Sequence, residues 1–391
     1  MPFSPKKSSA LGAGVLTISL AIAQNGKVSD AQARKVHNST LLIDTHNDIT
    51  SKTVEGYDIG GNAGDGHTNV PGLRKGGVGA QFFAVYVDAK YAKSNQSAHR
   101  TLEMIDTVRH DIIDRYPNDF QLALTADDIE RARQQGKIAA LLGIEGGHAI
   151  EDSLRLLRDY YLLGVRYMTL THSNTNNWAD SSGDVNKPGV KHHNGLTEFG
   201  KQVVREMNRL GMMIDISHVA DKTFWDVLEV SAAPPFASHS SARALSNVSR
   251  NMTDEMIRAL ARKGGVVQIN FACEFLSQKS ADASKALLPR MMAARADPVL
   301  LAKYRKIVPP ATLADVVAHI DHIAKLGGVD AVGIGSDFDG VFCTPTDLED
   351  VSKFPNLTRA LLEKGYSPAD IGKMYGGNLL RVMRAAEAHR K

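Results

Sequence analysis

Short apolar runs recur along this chain, and several stop abruptly at a residue that can titrate. Lys137–His148 (KIAALLGIEGGH) is apolar up to the carboxylate of Glu145 and then meets two glycines. Thr40–Asp48 (TLLIDTHND), Val165–His172 (VRYMTLTH), Met212–His218 (MMIDISH), Pro235–His239 (PFASH) and Ala331–Asp339 (AVGIGSDFD) end in the same way. A run of this length suits a strand covered on both faces, as in a parallel sheet packed under helices. Gly79–Asp88 and Gly264–Ala272 add two more such runs, making eight predicted strands.

Helical patterns fall between them. They cover Val28–Val36, Ala98–Tyr116, Thr125–Gln135, Ser153–Leu163, Thr197–Leu210, Asp221–Val230, Thr253–Lys263 and Ala311–Leu326, and a last helix opens at Ser367 with Pro368 in its first turn. Thr125, Thr253 and Ser367 suit N-caps, and Gly211 a stop. Gly56–Gly77 carries no apolar periodicity and reads as a long loop. Ser173–Asn194 is a second loop, and Cys273–Pro310 is an insertion. Strands alternating with helices imply a parallel sheet, and eight repeats permit closure into a (β/α)8 TIM-type barrel. A doubly wound open sheet is the alternative, but no glycine-rich fingerprint follows the first strand.

Length and composition narrow the picture. For 391 residues a domain count of two or three is the ordinary prior, yet α/β barrels with insertions exceed it as single units. One catalytic domain over 24–391 is therefore expected. The 43% apolar and 23% charged fractions provide for a sizeable core. A net charge of +3 from interspersed residues argues against a nucleic-acid surface. Lys6 and Lys7 precede an apolar run that ends Ala21-Ile22-Ala23, the layout of a secretory signal peptide over 1–23. The run is short of the ~20 residues of a membrane span, so an exported, periplasmic or extracellular protein without a membrane span in its mature chain is expected. Two cysteines are too few for a thiolate zinc site, so a metal would need N and O ligands. Cys273 and Cys343 sit just past two neighbouring barrel strands. An oxidising compartment would permit a disulfide between them, but the sequence leaves open the course of the loop that holds Cys343, and so the choice between a bridge and two free buried thiols.

The chemistry lies at the strand ends. His46 and Asp48 share a face of the first strand, with Asp44 deeper on that face. A lone His-x-Asp is a weak signal, but barrel enzymes carry their chemistry at strand C-termini. Glu145, His172, His218, His239 and Asp337 stand at the ends of five further strands. One or two such groups are ordinary polar caps; this many at one mouth need something to offset their burial. A metal centre would do so. His46, Asp48, Glu145, His218 and His239 are too many ligands for one open zinc and suit two ions ~3.5 to 4 Å apart, bridged by Glu145. Asp339 rivals Asp337 as the base by strand alternation, and both Arg243 and Arg250 could reach a substrate from the segment after His239. His148 is a candidate supporting group; His67, His192 and His193 read as loop histidines.

The segments IDTHND, GIEGGH, RYMTLTHSNTNNWADSS, DISHV, PFASHSSAR, GIGSDFDG and GGNLLRV together resemble the membrane (renal-type) dipeptidase family of zinc peptidases. The resemblance spans nearly all of the expected mature chain. It implies a (β/α)8 barrel, two zinc ions per chain, dipeptide substrates and a homodimer. It assigns His46 and Asp48 to one zinc, His218 and His239 to the other, and Glu145 to both. His172 matches the substrate-polarising histidine, Asp337 the acid/base carboxylate, and Arg250 the group near the substrate carboxylate. The implied mechanism is attack by a metal-bridging hydroxide. The sequence departs from mammalian members in having two cysteines and a polar C-terminal segment. Two other readings compete: a related amidohydrolase acting on β-lactams or other amides, and an exported binding protein without turnover.

Overall fold

The computed structural model describes Met1 and residues 28–391, apart from 62, 63, 65, 295 and 296; the expected signal peptide lies outside the described residues. Nine strands form one parallel sheet: β1 Leu42–Asn47, β2 Val78–Tyr86, β3 Phe120–Leu122, β4 Ile138–Glu145, β5 Val165–Thr169, β6 Met213–Asp215, β7 Phe236–Ser240, β8 Val266–Ile269 and β9 Val332–Ile334. Eight of them follow one another in the order β1-β2-β4-β5-β6-β7-β8-β9. The ring closes where β1 meets the segment after β9. There the Asp48 N–H donates to the Phe338 carbonyl at 2.8 Å and the Asp337 N–H to the His46 carbonyl at 3.1 Å. The chain is a (β/α)8-type barrel.

Alternation along the strands sorts side chains into two layers. Ile43, Phe82, Leu141, Tyr167, Met213, Phe236 and Val266 meet at one end of the barrel, where Leu379, Leu380, Val382 and Met383 of the helix Asn378–Glu387 cover them. Leu42, Phe83, Val85, Ile144, Met168 and Ile214 belong to the larger core that includes the surrounding helices. β4 is buried at every position, which explains its unbroken apolar run. The helix Glu198–Leu210 shows how local signals set an element. Thr197 caps it by accepting from the Gly200 N–H, Val203, Val204 and Met207 are buried, and Gly211 ends it at φ 76°.

The structure adds elements to those predicted. β3 pairs with the first residues of β4, along the edge that β5 occupies further up. At three residues it is too short to show a period. The expected loop over 56–77 contains the helix Val70–Lys75, capped by Asn69, and the insertion folds as the helices Cys273–Leu276, Gln278–Ala293 and Pro298–Arg305. The predicted helix over 98–116 turns into a π-helix at Thr107–Asp114. Cys273 and Cys343, whose pairing the sequence left open, form a disulfide with Cα atoms 5.4 Å apart. Among the described residues, no helix is long and apolar enough to cross a membrane.

Candidate metal centre

The three predicted histidine ligands meet the Glu145 carboxylate, and Asp48 joins them through His46. His218 Nε2 stands 2.9 Å and His239 Nε2 3.3 Å from Glu145 Oε1, with the two nitrogens 3.0 Å from each other. On the other carboxylate oxygen, His46 Nε2 lies 3.6 Å from Oε2 and 3.3 Å from Asp48 Oδ2. His172 Nε2 is 3.8 Å from Oε1. His46, Asp48, Glu145, His218, His239 and Asp337 are all buried.

Groups that strand-end reasoning did not pick out set which ring nitrogen faces inward. The Tyr167 hydroxyl donates to the Thr45 carbonyl at 3.0 Å, so it accepts from His46 Nδ1 at 2.8 Å. Ser238 Oγ donates to Asp215 Oδ2 at 2.6 Å and accepts from His239 Nδ1 at 2.7 Å. Asp215 is held in turn by the main-chain N–H groups of Ser217 and Ser238. Both Nε2 atoms are thereby left as bare lone pairs facing carboxylates, and His46 Nε2 has no hydrogen-bond partner. Lone pairs converging on carboxylates repel one another unless a cation lies between them. These residues therefore fit a metal, and N/O donors without thiolate suit Zn, Mn or Co. The only sequence signals for these supports were the Asp of DISH and the Ser of FASH.

The electrostatics separate His46 from the other two rings. Burial holds His218 and His239 well below the usual imidazole range, helped by the positive charge of Arg250, so their rings are neutral. Burial acts in the same direction on His46, but Tyr167, Asp48 and Glu145 outweigh it and favour positive charge there. Burial, Asp48 and Glu145 hold the Asp337 carboxyl well above the usual range, against His46 and a 2.7 Å hydrogen bond from Asn270. His172 is lowered by burial against the pull of Glu145.

Two pairs of sequence alternatives differ in their partners. β9 ends at Ile334, and Asp337 and Asp339 take left-handed φ values of 62° and 67°, so alternation does not extend to them. Asp339 Oδ1 accepts from Lys52 Nζ at 2.8 Å and from the His67 main-chain N–H at 3.0 Å, whereas Asp337 accepts from Asn270. Arg243 is committed to both oxygens of Asp221 at 2.7 Å. Arg250 instead lines the cavity above the centre, its guanidinium over the Phe275 ring at 5.2 Å, with its Nε hydrogen unpaired. His148 bonds the Val87 carbonyl through Nε2 and is not in the cluster.

The cavity holds about 310 Å³ and is lined by Asp48, Glu145, His172, His218, Arg250 and Asp337 together with Tyr86, Glu274, Phe275 and Phe342. That is the small end of the range for ligand sites. Arg250 also donates to Ser240 Oγ at 3.3 Å and to the His239 carbonyl at 3.1 Å, which hold its guanidinium beside the cluster. A buried cation site with an arginine that faces no carboxylate above it can polarise a carbonyl and hold an anionic substrate.

Known proteins share this fold. The sequence profile of the membrane dipeptidase family (peptidase family M19) matches residues 30–391. The chain is similar in structure to the probable dipeptidase PvdM from Pseudomonas aeruginosa, with a TM-score of 0.80 at 25% identity over 92% of this chain and 98% of that one. It is also similar to a metallo peptidase from Rhodobacter sphaeroides, crystallised with a phosphinate mimic of the dipeptide L-Ala-D-Ala; the TM-score is 0.74 at 26% identity over 89% of this chain and 100% of that one. An amidohydrolase from Pseudomonas aeruginosa shares the fold at a TM-score of 0.70 and 24% identity, covering 90% of this chain and 98% of that one. With the family match spanning nearly all described residues, the chain belongs to the membrane dipeptidase family, peptidase family M19, and is a metal-dependent dipeptidase.

Proposed function

We propose that the enzyme works with two zinc ions and that its substrates are dipeptides with a free C-terminal carboxylate. The observation that carries this reading is the two-sided use of Glu145: His46 approaches one carboxylate oxygen, while His218 and His239 converge on the other. In this assignment His46 and Asp48 hold one ion, His218 and His239 the other, and Glu145 both. When bound, the pair supplies an acidified water, with a pKa lowered to about 7, as the attacking hydroxide.

The chain's own residues do the rest. Arg250 grips the substrate carboxylate one residue beyond the scissile bond; its planar guanidinium can make two parallel hydrogen bonds, which selects for chain length. His172, on the wall between Tyr86 and His218, donates to the carbonyl oxygen as charge develops there. Asp337 carries a proton at carboxyl oxygen and delivers it to the departing amine, the oriented Asn270 bond keeping its other oxygen fixed. The Rhodobacter sphaeroides relative bound to a phosphinate mimic of L-Ala-D-Ala supports dipeptides of that kind as substrates.

Metal analysis and a dipeptide panel on one purified sample test the proposal. Two equivalents of zinc per chain and cleavage of dipeptides but not their amides are expected; one equivalent, or equal cleavage of acids and amides, overturns it. Removal of 1–23 on export and assembly as a homodimer belong to the same proposal. The Cys273–Cys343 bridge supports the oxidising compartment. The N-terminal mass of the envelope protein and light scattering check these two points.

A further inference from the structure

One wall of the cavity is the short helix Cys273–Leu276, which follows β8 and contributes Glu274 and Phe275 to the lining. This wall is held from several sides. Cys273 is bridged to Cys343, and its N–H donates to the Cys343 carbonyl at 3.1 Å. Ser246 Oγ donates to the Glu274 carbonyl at 2.7 Å, and His319 Nε2 to the Leu276 carbonyl at 3.0 Å. A side chain on such a wall has a defined place relative to the metal cluster.

The carboxylates of the cavity differ in what they face. Asp48 and Glu145 face histidines, Asp337 takes the Asn270 amide, and Asp339 is paired with Lys52. Glu274 alone among the described lining residues has a carboxyl bonded to nothing but its own main-chain N–H. It lies in the field of Arg250 without bonding it, and Arg250 stacks over Phe275, the next residue along. Arg250 and Glu274 therefore share one side of the cavity, where the C-terminal residue of a dipeptide would lie.

We propose that Glu274 makes the enzyme select dipeptides whose C-terminal residue carries a cationic side chain, lysine or arginine. The inference rests on the reading that Arg250 holds the substrate carboxylate. With that carboxylate paired to Arg250, the Glu274 carboxyl on the same side of the cavity is left to the side chain of the same residue, and a cationic group there pairs with it. A neutral side chain leaves the half-buried Glu274 carboxyl with no partner beyond its own main-chain N–H, and an acidic one sets a like charge beside it. The expected order is basic, then neutral, then acidic.

The test measures kcat/KM for Ala-Lys, Ala-Nε-acetyl-Lys, Ala-norleucine and Ala-Glu, each with both configurations of the second residue. In the wild type Ala-Lys should exceed Ala-norleucine and Ala-Nε-acetyl-Lys by about 10- to 100-fold, as for a hydrogen bond between charged groups. In Glu274→Gln this ratio should collapse to within about threefold, and Glu274→Lys should turn the preference toward Ala-Glu. Equal constants for Ala-Lys and Ala-norleucine in the wild type overturn the inference, whatever the variants do. So does a lysine preference that survives in Glu274→Gln. Failure to cleave any member of the panel would sink the dipeptidase reading and this inference together, whereas cleavage without the lysine preference sinks this one alone.

Discussion

The two ends of the barrel are built on opposite principles. At the floor, Phe82, Tyr167 and Phe236 pack ring against ring at centroid distances of 5.2 and 5.4 Å beneath the C-terminal helix. A Cβ at Gly143 would strike the Tyr167 ring, so the glycine makes room for it. The described side chains of this cluster are apolar but for the Tyr167 hydroxyl, which donates to the Thr45 carbonyl. At the mouth, by contrast, His46 Nε2 and Arg250 Nε are buried without partners, and His218, Asp337 and Asp339 sit at positive φ. Non-glycine residues there cost stability and persist only where the surroundings hold them. Tyr167 joins the two ends: its ring belongs to the floor and its hydroxyl orients His46. The floor supplies the rigidity against which the mouth can hold unpaired lone pairs and charges in place.

The largest effects should come from the mouth and leave the floor untouched. Glu145→Gln should lose metal and activity together, because the carboxylate common to both sides of the cluster is weakened. Asp337→Asn should keep its metal and lose about 10² to 10⁴-fold in kcat. Equal metal loss in the two variants, read by elemental analysis, would break this division of roles. The converse is Phe82→Ala at the floor, which should cost about 3 to 5 kcal/mol in denaturant unfolding. The metal content of the protein that remains folded should not change; if it falls, the two ends are not separable.

A third prediction concerns the brace behind the cavity walls. His319 is fully buried; its Nδ1 accepts from the Ala242 N–H at 3.0 Å while Nε2 bonds the Leu276 carbonyl, and burial pushes its pKa down to about 4 from 6.5. The unfolded chain therefore takes up a proton below pH 6.5 that the folded chain refuses until about pH 4. This contribution is fully present above 6.5 and declines as pH falls between the two values. The decline approaches about 3 kcal/mol across the whole window. Urea midpoints at pH 7, 6 and 5 should drop more steeply in the wild type than in His319→Gln, and parallel profiles would remove His319 from the account.

Smaller effects should mark the contact between the ends. Tyr167→Phe keeps the ring in the floor and removes the acceptor for His46 Nδ1. Metal affinity, measured by competition with a chelator, should fall by about 10- to 100-fold with little change in unfolding. Arg250→Ala should lower kcat/KM for dipeptides by about 10- to 100-fold and leave dipeptide amides nearly unaffected. Equal losses on acids and amides would place Arg250 among the supports of the fold.

Much of this was legible before any coordinates. The apolar runs and the helical patterns between them determine the alternation, and alternation repeated eight times leads to the barrel. Placing a titratable residue at the end of a run determines that His46, Asp48, Glu145, His172, His218, His239 and Asp337 gather at one mouth, because parallel strands end on the same side. Other features were open until the chain closed. β3 is too short to have a period, and Asp339 could be told from Asp337 only once left-handed turns past β9 sent it to Lys52. Arg243 and Arg250 were equivalent as sequence, and Asp221, more than twenty positions upstream of Arg243, separated them. Tyr167 and Asp215 read as ordinary strand residues until His46 and Ser238 came within hydrogen-bond reach. The distinction is one of range. Periodicity and strand polarity are properties of neighbouring residues and can be read along the chain. The partner of a buried polar atom is set by contacts between segments up to hundreds of residues apart, and only the folded barrel brings these together.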